Sequence, residues 1–335
     1  MKSNIIIVAI IIVAFSFGGC TTKRNFDYKV TVVPQTYNSV TAPGDMNRAA
    51  EVINKRLNYF FSIPRDRIKL DVTENKISLT VSKIDSSLIN GIKTLITGYH
   101  KLEFWETYEN KEVIEYLTRA NSLPGKSNVI NEVDDSARKE FNRQNPLFGI
   151  LIPRVTAKGQ PLPSCLIGLA ALKDTAKVNS YLKMSDVKAL FPGALRFFWS
   201  NNPYKYDKTN SLYELHAIKV TTSNKQAPLD GSVIISAKTT SGSVNSAVKI
   251  DLTMDSDGAK TWAGITRENI NRCIAVIYDG HVRSYPRVMN EISGGNTEIT
   301  GDFTIEEANE IVNILKSGEL PFELKIVEEQ IIKRE

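Results

Sequence analysis

Between Tyr28 and Glu106 the sequence switches between two hydrophobic periods in a fixed order. Apolar residues alternate with polar ones, as in β-strands, in YKVTVV, RIKLDV, KISLTV and KLEFWE. They recur every three or four residues in two intervening segments, where Asp45 and Asp85 are predicted helix caps. The order strand, helix, strand, strand, helix, strand is that of a split βαβ unit. We therefore predict an α+β protein with a ferredoxin-like βαββαβ base domain at residues 28–107.

A second mixed region follows this base. Residues 108–145 hold one helix, a breaker and a charged stretch that is either an exposed helix or a linker; we predict a helical connector. Residues 146–320 are predicted to form a second α+β domain. Its last helix has Thr304 as cap, Glu307 at the capping-box position and Gly318 as its stop. Its predicted strands are LFGILI, CLIGLAAL, ALRFFWS, SLYELHAIKV, SVIISAK, AVKIDLTM and CIAVIY.

The composition is that of an ordinary globular protein of about two domains. The 335 residues include 42 basic and 37 acidic side chains, which gives a formal net charge of +5. The basic residues form no dense block and are not interleaved with aromatic residues. This pattern indicates a mixed solvated surface, so we expect no nucleic-acid partner.

The amino terminus is typical of an exported protein. The apolar run Ile5–Phe17 is too short for the ~20 residues that cross a bilayer, and GGC follows it. This ending resembles a bacterial lipoprotein signal, although Phe17 stands where such signals prefer leucine. We predict a signal peptide at 1–19, lipidation of Cys20 and a tether at 20–27. The alternative is an uncleaved anchor in which Cys20 is incidental. Both alternatives predict a protein that faces the periplasm. Of the two, we favour the lipid anchor, held in the inner membrane.

Two further thiols, Cys165 and Cys273, lie beside apolar strand-like runs. They could form one bridge, but a pair defines no disulfide framework, and we predict buried free thiols.

Residues with catalytic or metal-binding patterns are scarce. His100, His216 and His281 are scattered, and none has metal-ligand spacing. The DSDG segment looks like part of a calcium loop. However, Thr253 and Gly264 stand where the loop pattern needs its first carboxylate and its final glutamate, so helix capping by Asp255 or Asp257 explains the segment better. We therefore predict no catalytic residue, no metal site and no cofactor, and a binding or structural protein. An enzyme would require a cleft that joins His216 or His281 to carboxylates.

The carboxy-terminal half resembles the first periplasmic domain of the SecD family, a subunit of the Sec protein translocase. The matching pieces, in family order, are Gly258-Ala259, ITREN, AVIYDG, EISGGN, ITGDF and LKSGELP. INKRLNYFFSIPRDRIKLDVTENKISLTV is similar to the start of that domain. LEFWETYENKEV and KDTAKVNSYLKMSDVKALFPGALRFFW look like the fused SecDF form. The resemblance covers nearly everything from Tyr28 to Gln330.

This resemblance implies a base beside the membrane and an inserted head that projects away from it. It also implies that the strand FELKIVEE, residues 322–329, returns from the head to close the base. In the family, transmembrane helices follow and couple proton flow to export. We therefore expect a free-standing lipoprotein-like paralogue without proton coupling. It would bind unfolded preproteins or dock on SecDF or the SecYEG translocon.

The alternative is an envelope lipoprotein that reuses the head fold for an unrelated ligand or partner, since fold does not fix function. A deep polar pocket in the head would favour this alternative, and a shallow groove would favour peptide binding.

Overall fold

The computed structural model describes residues 25–35, 42–98, 100–123, 136–241, 248–301 and 303–334. Among these residues, no helix combines the length and the apolar character needed to cross a bilayer. The predicted signal peptide, Cys20 and most of the tether lie outside the described residues. The mixture of helices and antiparallel sheets confirms the predicted α+β class.

Fifteen strands and eight α-helices are assigned in the described part of the chain. The strands are β1 (Phe26–Pro34), β2 (Ile68–Val72), β3 (Ile77–Ile84), β4 (Leu102–Glu106), β5 (Ile152–Pro153), β6 (Leu166–Ala171), β7 (Leu195–Pro203), β8 (Leu212–Lys219), β9 (Leu229–Asp230), β10 (Ile234–Ser241), β11 (Val248–Met254), β12 (Ile274–Tyr278), β13 (His281–Ser284), β14 (Asn296–Thr300) and β15 (Leu324–Lys333). The helices are α1 (Asp45–Phe61), α2 (Ile89–Thr97), α3 (Asn110–Asn121), α4 (Ser136–Gln144), α5 (Leu172–Leu182), α6 (Ser185–Lys188), α7 (Ser256–Glu268) and α8 (Ile305–Ser317).

The described residues divide into two compact units. Unit 1 takes those within Met1–Tyr99 and Ser317–Glu335, and unit 2 takes those within His100–Lys316.

Unit 1 is an antiparallel sheet with the strand order β15-β1-β3-β2. Its elements follow the order βαββαβ, because α1 and α2 separate the strands in the chain. The apolar face of the sheet forms one core with both helices, which includes Val30, Ile53, Leu79 and Ile92. Arg56 of α1 is buried and donates to the carbonyl oxygens of Leu95 and Gly98 at the end of α2.

The sixth element of this unit differs from the prediction. KLEFWE was predicted to complete the base sheet, which placed the domain at residues 28–107. Instead, β15, which overlaps the segment 322–329 that the family resemblance implied as the closing strand, pairs with β1 from Pro34↔Leu324 to Phe26↔Lys333 and occupies that edge. The strand β4 belongs to unit 2, where it pairs with β12 and β9. The helix caps differ slightly too: Asp85 caps a short 3-10 turn before α2, whereas Asp45 is the first residue of α1.

Unit 2 contains an eight-stranded sheet in the order β5-β6-β8-β7-β13-β12-β4-β9. Its two halves meet where β7 pairs in parallel with β13 through one residue pair, Ser200 and Val282. One core covers the β6–β8 half and includes residues of α3 and α5. A smaller cluster around Trp105 and Ile277 lies at the β12–β4 half.

A separate three-stranded sheet in unit 2 has the order β10-β11-β14. Its buried positions include Ala237, Ile250, Leu252 and Ile299, which alternate with more exposed residues along each strand.

Two segments of unit 2 differ from the prediction. Within residues 108–145, which were predicted to form a connector, Val113 and Leu117 of α3 pack in the same core as Ile167 and Leu215. LFGILI is mostly a turn rather than a strand, and only Ile152 and Pro153 pair with β6. Leu147, Ile150 and Leu151 of that turn are buried in the core shared by α3, β6 and β8, so they need not form a strand themselves to be buried.

Candidate functional site

The strand β10 forms an open edge of the three-stranded sheet. It pairs with β11 from Ile234↔Met254 to Ser241↔Val248. Because β10 is the outermost strand in the order β10-β11-β14, no described strand pairs with its other side. An edge strand presents unpaired N–H and C=O groups, which can accept one more extended chain.

A β-bulge marks the start of this edge. The register shifts between Ile234 and Ser236, so Ile235 is the extra residue, and 68% of it is exposed. Bulges commonly limit uncontrolled pairing at sheet edges, because they twist the strand locally. The regular part of the edge therefore runs from Ser236 to Ser241.

Side chains alternate along this regular part. Ala237 is buried, and Thr239 donates a hydrogen bond of 2.7 Å to the side-chain oxygen of Asn309 on α8. Lys238 points to the opposite face, where its Nζ lies 3.4 Å from Asp251 Oδ2. One face of the strand is thus fixed by packing, and no described strand pairs with its outer backbone edge.

Helix α7 supports the start of β10. Asp255 caps it by accepting hydrogen bonds from the backbone N–H groups of Asp257, at 3.1 Å, and Gly258, at 2.7 Å. The predicted capping is therefore confirmed for Asp255. Gly258 lies against Val233, and an added Cβ there would come within 2.7 Å of the valine side chain.

A buried polar cluster lies elsewhere in unit 2. Cys165 Sγ is 3.7 Å from His216 Nδ1, and His216 Nε2 is 3.2 Å from Glu214 Oε2. Tyr285 donates from its hydroxyl to Glu214 Oε1 at 3.1 Å. Burial, reinforced by the Glu214 carboxylate, raises the pKa of Tyr285. The order thiol, imidazole and carboxylate resembles a nucleophilic triad in outline.

The burial of this cluster argues against catalysis. His216 and Cys165 are both 0% exposed. Burial also raises the pKa of Cys165 well above its ordinary value, which lowers the fraction of thiolate in the resting protein. A catalytic nucleophile needs an open approach for its substrate, which these two side chains do not offer.

The other two histidines lie together near Asp279. His100 Nδ1 is 2.9 Å from Asp279 Oδ2, and His281 Nδ1 is 3.0 Å from the Asp279 carbonyl oxygen. His281 is exposed. Within the described residues, no group of three or more His, Cys, Asp or Glu side chains is arranged to hold a metal ion.

Two members of the buried cluster were missed by the sequence analysis. Glu214 and Tyr285 belong to no motif. The spacing of Glu214 and His216 could have indicated them as a pair, since alternate residues of a strand share one face.

Unit 1 contains a cavity of about 1230 Å³. It is lined by the end of β1, the start of α1, the β2–β3 turn and part of β15. A polar pocket for an unrelated ligand was expected in the head. This cavity lies in unit 1 and therefore does not match that expectation.

Comparisons with known proteins place the three-stranded sheet in a known family. The family model of the SecDF P1 head subdomain matches residues 209–322, which include β10, β11, β14, α7 and α8. SecD of Rhodothermus marinus is 31% identical over 249 residues, which cover 74% of this chain and 37% of that protein. SecD of Rickettsia conorii is 36% identical over 270 residues, 78% of this chain and 49% of that protein. The chain contains a SecD periplasmic domain.

The fold agrees with this SecD assignment. A crystal structure of SecDF in its super-membrane-facing form superposes with a TM-score of 0.52 and covers 93% of this chain and 31% of that one. At 18% identity this likeness bears on the fold alone. The chain spans about a third to a half of the length of these two SecD proteins. Within the SecD head region, the accessible edge of β10 is the candidate site.

Proposed function

We propose that this chain is an accessory factor of protein translocation. Its head binds unfolded preprotein segments in extended form along β10. Two observations support the proposal: residues 209–322 match the P1 head of SecDF, and the outer edge of β10 within that match pairs with no described strand. The open edge carries the proposal, because it offers backbone groups that any extended polypeptide can pair with.

Backbone pairing suits a binder of many clients. Hydrogen bonds to the main chain do not depend on the client sequence, so affinity is shared among unrelated segments. The side chains of Ser236, Lys238 and Thr240 along this strand are polar. Binding of this kind is weak for each client and easily reversed, as export requires.

The proposal includes the membrane and the translocon. Lipidation of Cys20 would hold the domain at the periplasmic face of the inner membrane. A short tether would then raise its effective concentration for SecDF or SecYEG. The binding step itself needs no proton gradient, since it consists of hydrogen bonds and packing that form at equilibrium.

The test compares two peptides that differ only in the number of backbone N–H groups able to donate hydrogen bonds. The first is a fluorescent hexapeptide rich in valine, isoleucine and threonine, and the second carries N-methyl groups on alternate residues of one edge. We expect the purified protein to bind the first peptide and to lose at least about tenfold in affinity for the second, because several hydrogen bonds are removed.

A third peptide controls for side-chain recognition. It has the same composition as the first in scrambled order and should bind about equally well. Equal binding of the methylated and unmethylated peptides would reject pairing along β10, and absence of binding by all three would reject the peptide-binding function.

The alternative function is an envelope protein that binds an unrelated ligand. The cavity of unit 1 offers such a ligand a binding place, although it lies outside the head, where a pocket was expected. If a ligand bound in this cavity, the peptide experiment would be negative. Substitutions at the β2–β3 turn, such as Asn75→Trp, would then change the affinity for that ligand.

A further inference from the structure

Two cysteines that are far apart in the sequence lie together in unit 2. Cys165 precedes β6, and Cys273 precedes β12. Both are buried and free, and each thiol acts on the pKa of the other. This pair is independent of the candidate peptide site.

The backbone around the pair explains why the two sulfur atoms meet. Thr107 bridges to Ile218 next to the β6–β8 half of the sheet, and its hydroxyl donates to the Cys273 carbonyl oxygen at 2.7 Å. Arg287 forms a β-bridge with Cys273 and donates to the carbonyl oxygen of Pro163, two residues before Cys165. Both cysteines are thus held by neighbours that contact both halves of the sheet.

The two halves of the eight-stranded sheet share little backbone pairing. The strands β7 and β13 pair through one residue pair, Ser200 and Val282, and the isolated bridge between Thr107 and Ile218 also joins the halves. Within each half, neighbouring strands pair through two to six residue pairs. A covalent bond from Cys165 to Cys273 would therefore add a link between two halves that share few backbone pairs.

The polar cluster supplies a proton acceptor for Cys165. If His216 donates from Nε2 to the Glu214 carboxylate, its Nδ1 lone pair faces Cys165 Sγ at 3.7 Å. The Tyr285 hydroxyl fixes the other oxygen of Glu214 and thereby the orientation of the pair. His216 is a positioning and proton-accepting residue in this arrangement.

We propose that Cys165 and Cys273 form a reversible disulfide that covalently joins the two halves of the eight-stranded sheet. The co-reactant is a small disulfide such as oxidised glutathione.

The exchange proceeds in two balanced steps. The Cys273 thiolate attacks one glutathione sulfur, a mixed disulfide forms, the glutathione S–S bond breaks and one glutathione thiolate leaves. Cys165 gives its proton to His216 and attacks the Cys273 sulfur, which releases the second glutathione thiolate. The two cysteines together lose two electrons, glutathione disulfide gains two, and the two thiol protons end on the released glutathiones.

The order of attack follows from the environment of each thiol. The hydrogen bond from Cys165 lowers the pKa of Cys273 to about 7, whereas burial raises the pKa of Cys165. Cys273 is 4% exposed and Cys165 is 0% exposed, so Cys273 is the more accessible of the two. The other charged groups that act on the pair are Glu109 and Arg287.

The test counts thiols on the full chain with Cys20→Ser, which removes the third cysteine. The protein is equilibrated with reduced or oxidised glutathione, denatured in acid and alkylated with a maleimide-polyethylene glycol. We expect two adducts after reduction and none after oxidation, with a peptide that joins Cys165 to Cys273 in the mass spectrum. We also expect the oxidised form to melt about 10 °C higher, because a loop of about 100 residues is closed.

Two adducts in oxidised glutathione would overturn the proposal, as would a bridge in which the two cysteines pair between different molecules. The double variant Cys165→Ala/Cys273→Ala should melt at one temperature in both buffers. The variant His216→Gln should still reach full oxidation but should close more slowly, with a rate that rises more steeply with pH. An unchanged rate and pH profile would remove His216 from the scheme. None of these results depends on peptide binding.

Discussion

Two glycines of α7 differ in how closely the structure surrounds them. A Cβ on Gly258 would lie 2.7 Å from both Cβ and Cγ2 of Val233, just before β10. A Cβ on Gly264 would meet no atom within 4 Å. The same substitution therefore probes close packing at one position and helix propensity at the other.

We predict that Gly258→Ala lowers the free energy of unfolding by about 1–3 kcal/mol, because the methyl group must displace Val233. The matched variant Gly264→Ala should raise it by about 0.5–1 kcal/mol, since alanine loses less backbone entropy in a helix. Urea unfolding of both variants checks the prediction. Equal effects of the two substitutions would contradict the packing at Gly258.

Glu310 on α8 is a carboxyl group in an unfavourable place. Burial raises its pKa above the ordinary value of 4.5, and the nearby Asp279 and Glu307 carboxylates act in the same direction. Arg283 and His100 oppose the shift. The folded state therefore binds the proton of Glu310 more tightly than the unfolded state does.

The sign of this shift predicts a pH dependence. The contribution of Glu310 to stability is fully present below pH 4.5 and is lost as the pH rises through the folded pKa. We expect Glu310→Gln to melt higher than the wild type at pH 7 and to lose this advantage at pH 4. Glu306→Gln, on an exposed position of the same helix, is the control and should show no such difference. A gain for Glu310→Gln that is the same at both pH values would contradict the argument.

Predictions for single residues were most accurate where the residue type has one common local role, such as capping a helix or lying buried beside a strand. The capping-box partners Thr304 and Glu307 exchange the two hydrogen bonds expected from their spacing, and Cys165 and Cys273 are buried as predicted. Contacts such as Cys165 with His216 were not predictable, because they join strands whose pairing partners no local pattern specifies.

At the scale of elements, β15 completes unit 1. Leu324 is buried in the same core as Val32 and Ile53, whereas Val327 is exposed at a β-bulge opposite Thr31 and Val32. The two residues thus test the core and the surface of one strand.

We predict that Leu324→Ala lowers the free energy of unfolding of unit 1 by about 2–5 kcal/mol, because it leaves a cavity beneath the strand. Val327→Ala should change it by less than about 0.5 kcal/mol. Hydrogen exchange of the unit 1 amides, read by mass spectrometry, separates this unit from unit 2. Equal protection in both variants would mean that β15 contributes little to the core.

The alternation of apolar residues predicted most strands but could not assign them to sheets. LEFWE was predicted as a strand and is one, yet it pairs with β12 across a long sequence separation. The same limit applies to β10, since the sequence does not distinguish an edge strand from a central strand. Edges arise from the order of strands in the folded sheet, which depends on non-local packing.

At the scale of the whole molecule, the chain combines a βαββαβ unit with a larger unit that contains the SecD head region. The sequence resemblance predicted this family from motifs that the structure distributes over α7, α8 and the strands around them. The family likeness alone does not say which surface binds a client. We propose the open edge of β10 for that role.

Crosslinking in living cells tests the central proposal most directly. A photoreactive amino acid replaces Lys238 on β10 or, as a control, Lys260 on α7; these side chains are 69% and 79% exposed. Mass spectrometry then identifies the adducts. We predict that position 238 captures many exported proteins in transit and components of the Sec machinery, and that position 260 captures few. Identical background adducts from the two positions would contradict client binding along β10.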